Sequence, residues 1–368
     1  MNYCLPRISL YPCQMDITFT ENCNQNCDYC WVNKSNPKVL DFNSIKKGID
    51  IFLNFPVKEQ TITFTTTEPL IIPLIYSKTI NYILQQTRVS KKEINIVTTT
   101  NGINLNKEMR DFIIKKIEIY DRFRLNISID GKQKSHDAHR KLRRSTGKSA
   151  FKLSWNNFCF LPKENVRVIF TVTPSETTFF KENIDFILKN GFKKIDIFPQ
   201  MFTLWGRCEL KNLQEELTSL VRYINEDLDC SYDLRLLNRL CGSSNYNKLL
   251  LGCDGNFYLF EWILAIPYSE RKGYIIGNPR EGIDLEKRLV LFSQLFEKTI
   301  KATGKKCLKC NYKNLCSFPL PLFLWCHYNK KDFGIYFKNF CKIAKIFINL
   351  SKEIKNEIRN ELDTKKLY

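Results

Sequence analysis

The sequence lacks any run of about 18 apolar residues, the length that a membrane-spanning helix requires. Its first residues, MNYCLPRISLYPCQ, also lack the basic-then-apolar order of a secretory signal peptide. We therefore expect a cytoplasmic protein with no membrane partner. The 368 residues, 43% of them hydrophobic, are enough for one large domain with its own core and a small appendage.

Acidic side chains are scarce beside basic ones, since 38 Asp and Glu residues against 57 Lys and Arg residues give a net charge of +19. This excess would attract an acidic partner such as nucleic acid, an anionic membrane or an acidic redox protein. The basic residues are densest at 140–148 and 342–366, but they also cover predicted helix surfaces elsewhere, as solvated helix faces do. The sequence has no appended nucleic-acid module, and its basic residues are not interleaved with aromatic ones, so a nucleic-acid partner is disfavoured.

Short β-rich segments alternate with helical patterns from Met15 to Pro199, which indicates βα units around a parallel sheet. Residues 45–55 illustrate the helical pattern, because their apolar residues recur at helical spacing. Six such strands form either an open barrel or a doubly wound sheet, and both folds collect functional residues at the carboxyl ends of the strands. The predicted strands are 15–19, 61–64, 94–97, 125–129, 166–170 and 194–198.

The character of the sequence changes near residue 235, after a predicted helix at 213–228, because turn signals and cysteines become frequent there. Asp254-Gly255 lies between two β-rich segments and predicts a tight hairpin. Apolar residues at helical spacing over 343–362 predict a C-terminal amphipathic helix packed on the body of the protein. We therefore divide the chain into residues 1–235, 236–341 and 342–368.

Three of the fifteen cysteines, Cys23, Cys27 and Cys30, form a CxxxCxxC motif directly after the first predicted strand. In a reducing compartment, closely spaced cysteines more often bind metal than form disulfides. Three thiolates from one short loop can each bind one iron of a 4Fe-4S cluster and leave the fourth iron open to another ligand. A zinc site or a chance group of core cysteines is the alternative, but zinc takes four ligands in paired spacings.

The motif resembles that of the radical S-adenosylmethionine (SAM) superfamily, and the similarity extends over most of the chain. The resemblance implies an α/β fold with a partial (β/α)6 TIM-like barrel, in which SAM binds the open iron and is split to give a 5′-deoxyadenosyl radical. In that superfamily an aromatic residue before the third cysteine lies near the adenine, and Tyr29 occupies this position. The Gly-Gly-Glu-Pro motif that meets the SAM amino group appears as Thr66-Thr67-Glu68-Pro69, so its first two residues cannot rely on positive φ.

Two further segments align with the same superfamily. Asn101 lies in a Thr-Asn-Gly segment after the third predicted strand, and Ser128 begins a Ser-Ile-Asp-Gly segment at the fourth. In peptide-modifying members, this serine and a following arginine hold the SAM ribose and carboxylate, which implies these roles for Ser128 and Arg140. An arginine fork suits a carboxylate because the two groups can form parallel hydrogen bonds.

A second cysteine motif, CxxCxxxxxC, comprises Cys307, Cys310 and Cys316. Together with the hairpin before it, the motif resembles the SPASM or twitch extension of peptide-modifying radical SAM enzymes. The resemblance implies a small Cys-rich α+β extension with at least one auxiliary 4Fe-4S cluster, whose fourth thiolate comes from Cys341 or Cys326. Cys341 is favoured, because the family takes its last ligand from a distant cysteine. A zinc ribbon is the alternative, since CxxC pairs also bind zinc.

The same resemblance predicts that only the outer auxiliary cluster forms. Two-cluster relatives carry inner-cluster cysteines where this chain has Phe260 and Leu320, and neither side chain binds iron. Glu261, the residue after Phe260, occupies the place where sulfatase-maturing relatives carry an aspartate that acts as a candidate base, so we take it as a candidate general base. Cys208, after the sixth strand, is the candidate hydrogen-atom donor of an epimerase. All cysteines without a motif, Cys208 included, are otherwise predicted to be small buried hydrophobes, and they are Cys4, Cys13, Cys159, Cys208 and Cys230.

These features predict a maturase that abstracts a hydrogen atom from a residue of a ribosomally made peptide or a protein. The product would be a crosslink, an epimerised centre or an oxidised side chain. The positive surface would help an acidic flavodoxin or ferredoxin dock as electron donor. Because only 22 residues precede the first motif cysteine, leader recognition would fall to the barrel rim, the extension or another protein. A radical SAM RNA-modifying enzyme and a non-enzymatic, zinc-stabilised binding module are the alternatives.

Overall fold

The computed structural model describes residues 8–144, 147–226, 232–236, 246–313, 316 and 319–354, so Cys4 and Cys230 lie outside the described residues. Its strands are β1 Gln14–Ile17, β2 Gln25–Cys27, β3 Glu59–Phe64, β4 Glu93–Thr100, β5 Phe123–Ser128, β6 Arg140–Leu142, β7 Val166–Val172, β8 Lys194–Pro199, β9 Asp233–Arg235, β10 Lys248–Leu251, β11 Phe257–Tyr258, β12 Ile275–Asn278 and β13 Gly282–Ile283. Its helices are α1 Phe42–Leu53, α2 Pro73–Val89, α3 Lys107–Ile119, α4 Gln133–His139, α5 Ala150–Phe158, α6 Phe180–Lys189, α7 Arg207–Glu226, α8 Leu285–Ala302, α9 Leu320–Tyr328 and α10 Phe333–Ser351.

One sheet contains eleven strands in the order β13-β12-β11-β10-β1-β3-β4-β5-β7-β8-β9. Pairing is parallel from β10 through β1 to β9, and antiparallel from β10 to β13. The six predicted strands are all present, as β1, β3, β4, β5, β7 and β8, and they are neighbours in chain order. A doubly wound sheet would reverse its strand order, so this order selects the open barrel, and the predicted α/β fold is confirmed.

Two parallel strands that sequence analysis did not assign to the barrel extend the sheet. β9 adds to the edge strand β8, and β10 pairs in parallel with β1. β10 also begins the predicted hairpin at Asp254-Gly255, which closes through a hydrogen bond of 2.9 Å from Gly252 N to Asn256 O. The extension thus shares the sheet of the barrel, and the division of the chain near residue 235 remains a prediction.

Helix α1 illustrates why the barrel helices form where they do. Its N-cap Asp41 accepts a hydrogen bond of 2.9 Å from Ser44 N, which satisfies one of the free N–H groups of the first turn. Ile45, Ile49 and Phe52 lie at helical spacing and are fully buried in the core. The observed helix begins three residues before the predicted one. Within the described part of the chain, no helix is long and apolar enough to cross a membrane.

The C-terminal helix differs from its prediction. Helix α10 begins at Phe333, ten residues before the predicted start at Ile343, and it ends at Ser351. Its first turns contain a glycine and several aromatic residues, which are weak helix formers and obscure the start of the helix in the sequence. The helix is continuous across residue 342, and the predicted segment beyond residue 354 lies outside the described residues.

Two glycines in the predicted cofactor-binding segments have no room for a side chain. The φ angle is +78° at Gly102 and +88° at Gly131, in the left-handed region that favours glycine. A Cβ atom would lie 2.3 Å from the Phe158 ring at Gly102 and 2.2 Å from the Asn183 side chain at Gly131. The turns after β4 and β5 can therefore close tightly, which places both segments at the carboxyl edge of the sheet.

Candidate active site

The loop that carries Cys23, Cys27 and Cys30 follows β1 and takes part in a second, two-stranded sheet. Strand β2 pairs antiparallel with β6, which sets Cys27 opposite Arg140. Sequence analysis missed both strands, because three residues are too few to display an alternating pattern. The pairing ties the cysteine loop to the segment that follows α4.

The three thiols of this loop fit an iron–sulfur cluster. Burial raises the pKa of Cys23 to about 11 and that of Cys27 to about 12. Nearby negative charges add to the rise, since Glu68 acts on Cys23 and the other two thiolates act on Cys27, against the opposing effect of Arg140. Bound iron stabilises the thiolate form of a cysteine, and a cubane cluster binds the three thiolates through three different irons. Cys30 is exposed at the loop surface. Among the described residues, no three His, Cys, Asp or Glu side chains converge on a single-ion site.

Glu68, the predicted partner of the SAM amino group, is buried next to this loop. Its carboxylate accepts hydrogen bonds from Asn101 N at 2.7 Å and Leu70 N at 3.0 Å, and one from the Thr100 hydroxyl at 2.8 Å. Burial raises the pKa of Glu68 to about 7, although these hydrogen bonds oppose the rise. The amide Nδ2 of Asn101 lies 3.8 Å from Cys23 Sγ. The structure thus brings Glu68 and Asn101 to the first motif cysteine.

The two threonines in place of the family's glycines use their hydroxyl groups. Oγ1 of Thr66 lies 2.5 Å from Oγ1 of Thr18, and the Thr67 hydroxyl donates to Thr20 O at 2.7 Å. Neither residue has a positive φ, as the sequence predicts. Pro69 follows as the first residue of a short 3-10 helix that Glu68 caps. The hydroxyl groups of Thr66 and Thr67, which glycines would lack, therefore bind this segment to the residues between β1 and the cysteine loop.

Arg140, predicted to hold the SAM carboxylate, pairs here with a carboxylate of the protein. Its Nε and Nη2 donate to the two oxygens of Asp130 at 2.8 and 3.1 Å, and both side chains are buried. The Tyr29 hydroxyl donates to the same carboxylate, and the guanidinium lies 5.3 Å from the centre of the Tyr29 ring. Burial would raise the pKa of Asp130, but Arg140 and the hydrogen bonds outweigh it and lower the pKa. Sequence analysis assigned Asp130 no role, and direct binding of SAM by Arg140 remains a prediction.

The barrel contains a polar cavity of about 240 Å³. Inward-facing strand residues and the loops above them line it, namely Gln14, Asp16, Trp31, Thr61, Thr63, Thr65, Thr66, Val97, Arg124, Asn126, Arg167, Asp196, Arg235, Lys248, Glu261 and Trp262. Glu261 Oε1 accepts a hydrogen bond of 3.2 Å from Lys248 Nζ. Since Trp31 and Thr66 also line this cavity, Glu261 faces the same space as the cysteine loop and the threonine segment. The role of Glu261 as a base remains a prediction.

A second cavity gathers four C-terminal cysteines. Cys307, Cys310, Cys316 and Cys341 all line it, together with apolar residues of α10. Burial raises the pKa of Cys307 to about 11, and repulsion from the Cys341 and Cys310 thiolates adds to the rise. Cys326 is buried in α9 and is not among the lining residues. The four cysteines favoured for the auxiliary cluster therefore come together without Cys326.

Other predicted positions lie away from both cavities. Cys208 is exposed in the first turn of α7 and is not among the residues that line the barrel cavity. The prediction of a buried hydrophobe is therefore wrong for Cys208, and it is wrong for Cys159, which is exposed because it caps the C-terminus of α5. Cys13 is only partly buried, since it precedes the first strand. Ser128 ends β5 with its side chain largely buried, and its predicted contact with the ribose remains a prediction.

A buried ion pair that sequence analysis missed holds the start of the cysteine loop. Arg271 Nη1 and Nη2 donate to the two carboxylate oxygens of Glu21, and both side chains are 1% exposed. Arg271 also donates to the backbone carbonyls of Leu264 and Ile266. The pair joins residues 250 positions apart, so no local pattern in the sequence indicates it. Through it, the extension contacts the loop directly.

An open parallel barrel thus places three thiols at its carboxyl edge, above a polar cavity. A family model described as the Radical SAM superfamily matches residues 17–173, which include the cysteine loop, Glu68 and Arg140. The chain therefore resembles radical SAM enzymes over 157 of its 368 residues.

Curated relatives match part of the chain. A serine-type anaerobic sulfatase-maturating enzyme of Bacteroides thetaiotaomicron is 30% identical over 153 residues, which are 39% of this chain and 35% of that protein. An uncharacterized protein of Methanocaldococcus jannaschii is 34% identical over 112 residues, which are 30% of this chain and 36% of that protein. The chain thus spans about a third of the length of these two relatives.

Solved structures resemble the chain over a longer stretch. The structure of hexahistidine-tagged anSMEcpe with bound AdoMet has a TM-score of 0.68 at 18% identity, and covers 92% of this chain and 96% of that one. Streptococcus suis SuiB bound to precursor peptide SuiA has a TM-score of 0.54 at 14% identity, with 76% and 65% covered. At such identities the similarity is one of fold, and the coverage by anSMEcpe includes the C-terminal extension.

Proposed function

We propose that this protein is a radical SAM maturase that abstracts a hydrogen atom from a residue of a peptide or protein. The observation that carries the proposal is the convergence of three neighbouring thiols with Glu68 and Asn101 at one end of a polar barrel cavity. Cys23, Cys27 and Cys30 would hold the 4Fe-4S cluster. Cluster and SAM together supply a 5′-deoxyadenosyl radical when bound.

The surrounding residues would bind and orient SAM. Glu68 is poised to ionise near pH 7, so its carboxylate can pair with the SAM ammonium group. Asn101 is held by its backbone bond to Glu68 and would position the same end of the molecule. The Tyr29 ring would lie against the adenine, because Asp130 and Arg140 fix its hydroxyl and its face.

An oxidised substrate side chain loses a hydrogen atom, a proton and an electron. The hydrogen atom would go to the 5′-deoxyadenosyl radical, the proton to Glu261, and the electron to the auxiliary cluster proposed below. Glu261 lines the cavity, and Lys248 beside it would stabilise the carboxylate before proton transfer. This role applies to an oxidation or a crosslink. An epimerisation needs a hydrogen-atom donor instead, and the structure places the candidate Cys208 outside the cavity lining.

A peptide or protein substrate is supported by the relatives. One is a sulfatase-maturating enzyme, and two structural neighbours contain peptides: anSMEcpe was solved with the Cp18Cys peptide and SuiB with the precursor peptide SuiA. We carry this substrate class over to the present chain, because the fold extends through the C-terminal region. The net charge of +19 suits an acidic flavodoxin or ferredoxin as electron donor.

We also propose that Cys307, Cys310, Cys316 and Cys341 hold one auxiliary 4Fe-4S cluster. All four thiols line one cavity with apolar walls, a setting that excludes water from a cluster. The inner-cluster positions are Phe260 and Leu320, which are buried apolar residues with no ligand atom.

The proposal is tested by anaerobic reconstitution with iron, sulfide and SAM. We expect about eight irons per chain and release of 5′-deoxyadenosine on reduction. Cys27→Ala should abolish SAM cleavage, whereas Cys159→Ala, at an exposed cysteine without a motif, should leave it unchanged. Cleavage at the wild-type rate by the Cys27 variant, or zinc in place of iron, would refute the proposal. Anaerobic co-expression with short open reading frames beside the gene, followed by mass spectrometry, would identify the modified peptide.

A further inference from the structure

Five aromatic side chains form a continuous row that we call the aromatic strip. In order, they are Trp31, Trp262, Phe202, Trp325 and Tyr336. Successive ring centroids lie 4.5, 5.7, 5.1 and 5.4 Å apart. Each ring therefore contacts the next directly.

The aromatic strip begins inside the proposed active site. Trp31 and Trp262 line the barrel cavity together with Glu261, and Trp31 directly follows Cys30. Phe202 lies in the loop after β8, at the same carboxyl edge of the sheet. A molecule that lies on the strip is therefore directed toward the space where hydrogen abstraction is proposed.

The rings of the aromatic strip are partly exposed along its whole length. All five rings have intermediate exposure. Two exposed apolar residues lie close to the strip in the chain: Leu204, two residues after Phe202, is 45% exposed, and Ile335, directly before Tyr336, is 54% exposed. The loop that carries Leu204 is fixed to α10, because Asn339 forms hydrogen bonds of 2.9 and 2.7 Å with the backbone of Trp205. A continuous row of partly exposed aromatic rings offers apolar surface to a ligand.

We propose that the aromatic strip binds the substrate polypeptide as an extended segment with large apolar side chains on either side of the modified residue. The inference rests on the proposed function and specifies its substrate. Four ring contacts give a path of roughly 20 Å, which about six residues of an extended chain cover. A small-molecule substrate would reach only the first rings, and a second copy of this chain would need about 800 Å² per partner, more than five half-buried rings offer.

The test uses the reconstituted full-length protein with SAM, immobilised without oxygen, and a library of capped peptides with a central serine or cysteine and randomised flanks. Retained peptides are sequenced for the wild type, for the double variant Leu204→Ser with Ile335→Ser, and for Val290→Ser. Val290 is the matched control, because it lies on α8 and is 54% exposed, as Ile335 is. All three side chains are on the surface, so the substitutions should preserve the fold.

We expect wild type and Val290→Ser to retain peptides enriched in Phe, Trp, Leu, Ile or Met beside the central residue. The double variant should bind the enriched peptides about tenfold more weakly, because it removes two exposed apolar side chains that flank strip residues in the chain. Identical peptide pools from all three proteins, or a wild-type pool rich in charged or small residues, would overturn the inference. So would a wild-type dimer that the double variant converts to a monomer in sedimentation, since the strip would then bind a second copy.

The same preparations separate this inference from the proposed function. SAM cleavage without peptide enrichment would leave the radical SAM activity intact and sink the aromatic strip as a substrate site. Enrichment without SAM cleavage would refute the proposed activity and support a peptide-binding strip.

Discussion

Replacing Asp130 by asparagine tests whether the cysteine loop depends on a buried charge pair. The side chains of Asp130 and Arg140 are only 4% and 8% exposed. Asparagine keeps the shape of the side chain but leaves the guanidinium without a counter-charge. Removing one partner of a buried pair costs about 3–5 kcal/mol. This is a large part of the roughly 5–15 kcal/mol that stabilises an ordinary domain.

The damage should extend to iron binding. Arg140 lies opposite Cys27 in the pairing of β2 with β6, and the Asp130 carboxylate fixes both Arg140 and Tyr29. With the carboxylate gone, we expect the loop to sample other conformations and the iron content after reconstitution to fall. The free energy of unfolding should fall in the same variant.

Asp28→Asn is the matched control, since Asp28 pairs with Lys141 at 3.2 Å in the same region but both side chains are exposed. An exposed pair contributes about 0–1 kcal/mol, so this variant should differ little from wild type. Anaerobic urea unfolding of the metal-free protein, followed by circular dichroism, compares the two variants, and iron assay follows reconstitution. Equal unfolding midpoints for Asp130→Asn and Asp28→Asn would refute the reasoning.

The pH dependence of this pair has a defined sign. The folded-state pKa of Asp130 is lowered, with Arg140 outweighing burial. Its contribution to stability is therefore present above the unfolded-state pKa of about 3.9, and is lost as the pH falls through the lower folded-state value. Asp130→Asn should abolish this acid-induced loss.

Three further predictions follow from burial and geometry. Because burial raises the pKa of Glu68 to about 7, the free energy of unfolding should fall by about 3 kcal/mol as the pH rises from about 4.3 through 7, and Glu68→Gln should remove this fall in urea titrations. In thermal unfolding, Gly131→Ala should lower the free energy of unfolding by about 1–2 kcal/mol because of its positive φ, and by about 1–3 kcal/mol more because of the clash with Asn183. Gly255 also has a positive φ but open space around it, so Gly255→Ala should show only the first of these two losses. In protein that lacks the three motif thiols, Cys341→Ala should abolish the remaining iron of about four per chain, and Cys326→Ala should retain it.

Each prediction has an outcome that contradicts it. If the free energies of unfolding of Glu68→Gln and wild type differ by the same amount at every pH, burial does not raise the pKa of Glu68. Equal losses of stability in Gly131→Ala and Gly255→Ala would mean that the clash at Gly131 does not destabilise the fold. Retained iron in Cys341→Ala would place the fourth ligand elsewhere.

Local sequence patterns determined the barrel strands and the cysteine motif. Each predicted strand is a short β-rich run whose neighbours along the chain decide its conformation, and all six are present in the sheet. The three cysteines of the loop lie within eight residues, so their proximity follows from chain connectivity alone. The same holds for the threonines before Glu68, whose branched side chains exclude positive φ wherever the segment lies.

Only the tertiary structure decided which groups meet. The fork of Arg140 was predicted for the carboxylate of SAM, whereas in the structure it pairs with Asp130, because the turn after β5 and the end of α4 bring the two together. Glu21 and Arg271 form a buried pair although they lie 250 residues apart. Such contacts depend on chain closure over long separations, which leaves no periodic signal in the sequence.

The aromatic strip likewise depends on the tertiary structure and not on a local pattern in the sequence. In the sequence its rings are isolated aromatic residues between Trp31 and Tyr336, each of which could equally belong to the core. They become one continuous row because the cysteine loop, the segment after β11, the loop after β8 and helices α9 and α10 converge at one edge of the barrel. Sequence determined the chemistry this protein can support through motifs of neighbouring residues, and packing of distant elements decided the surface that leads to it.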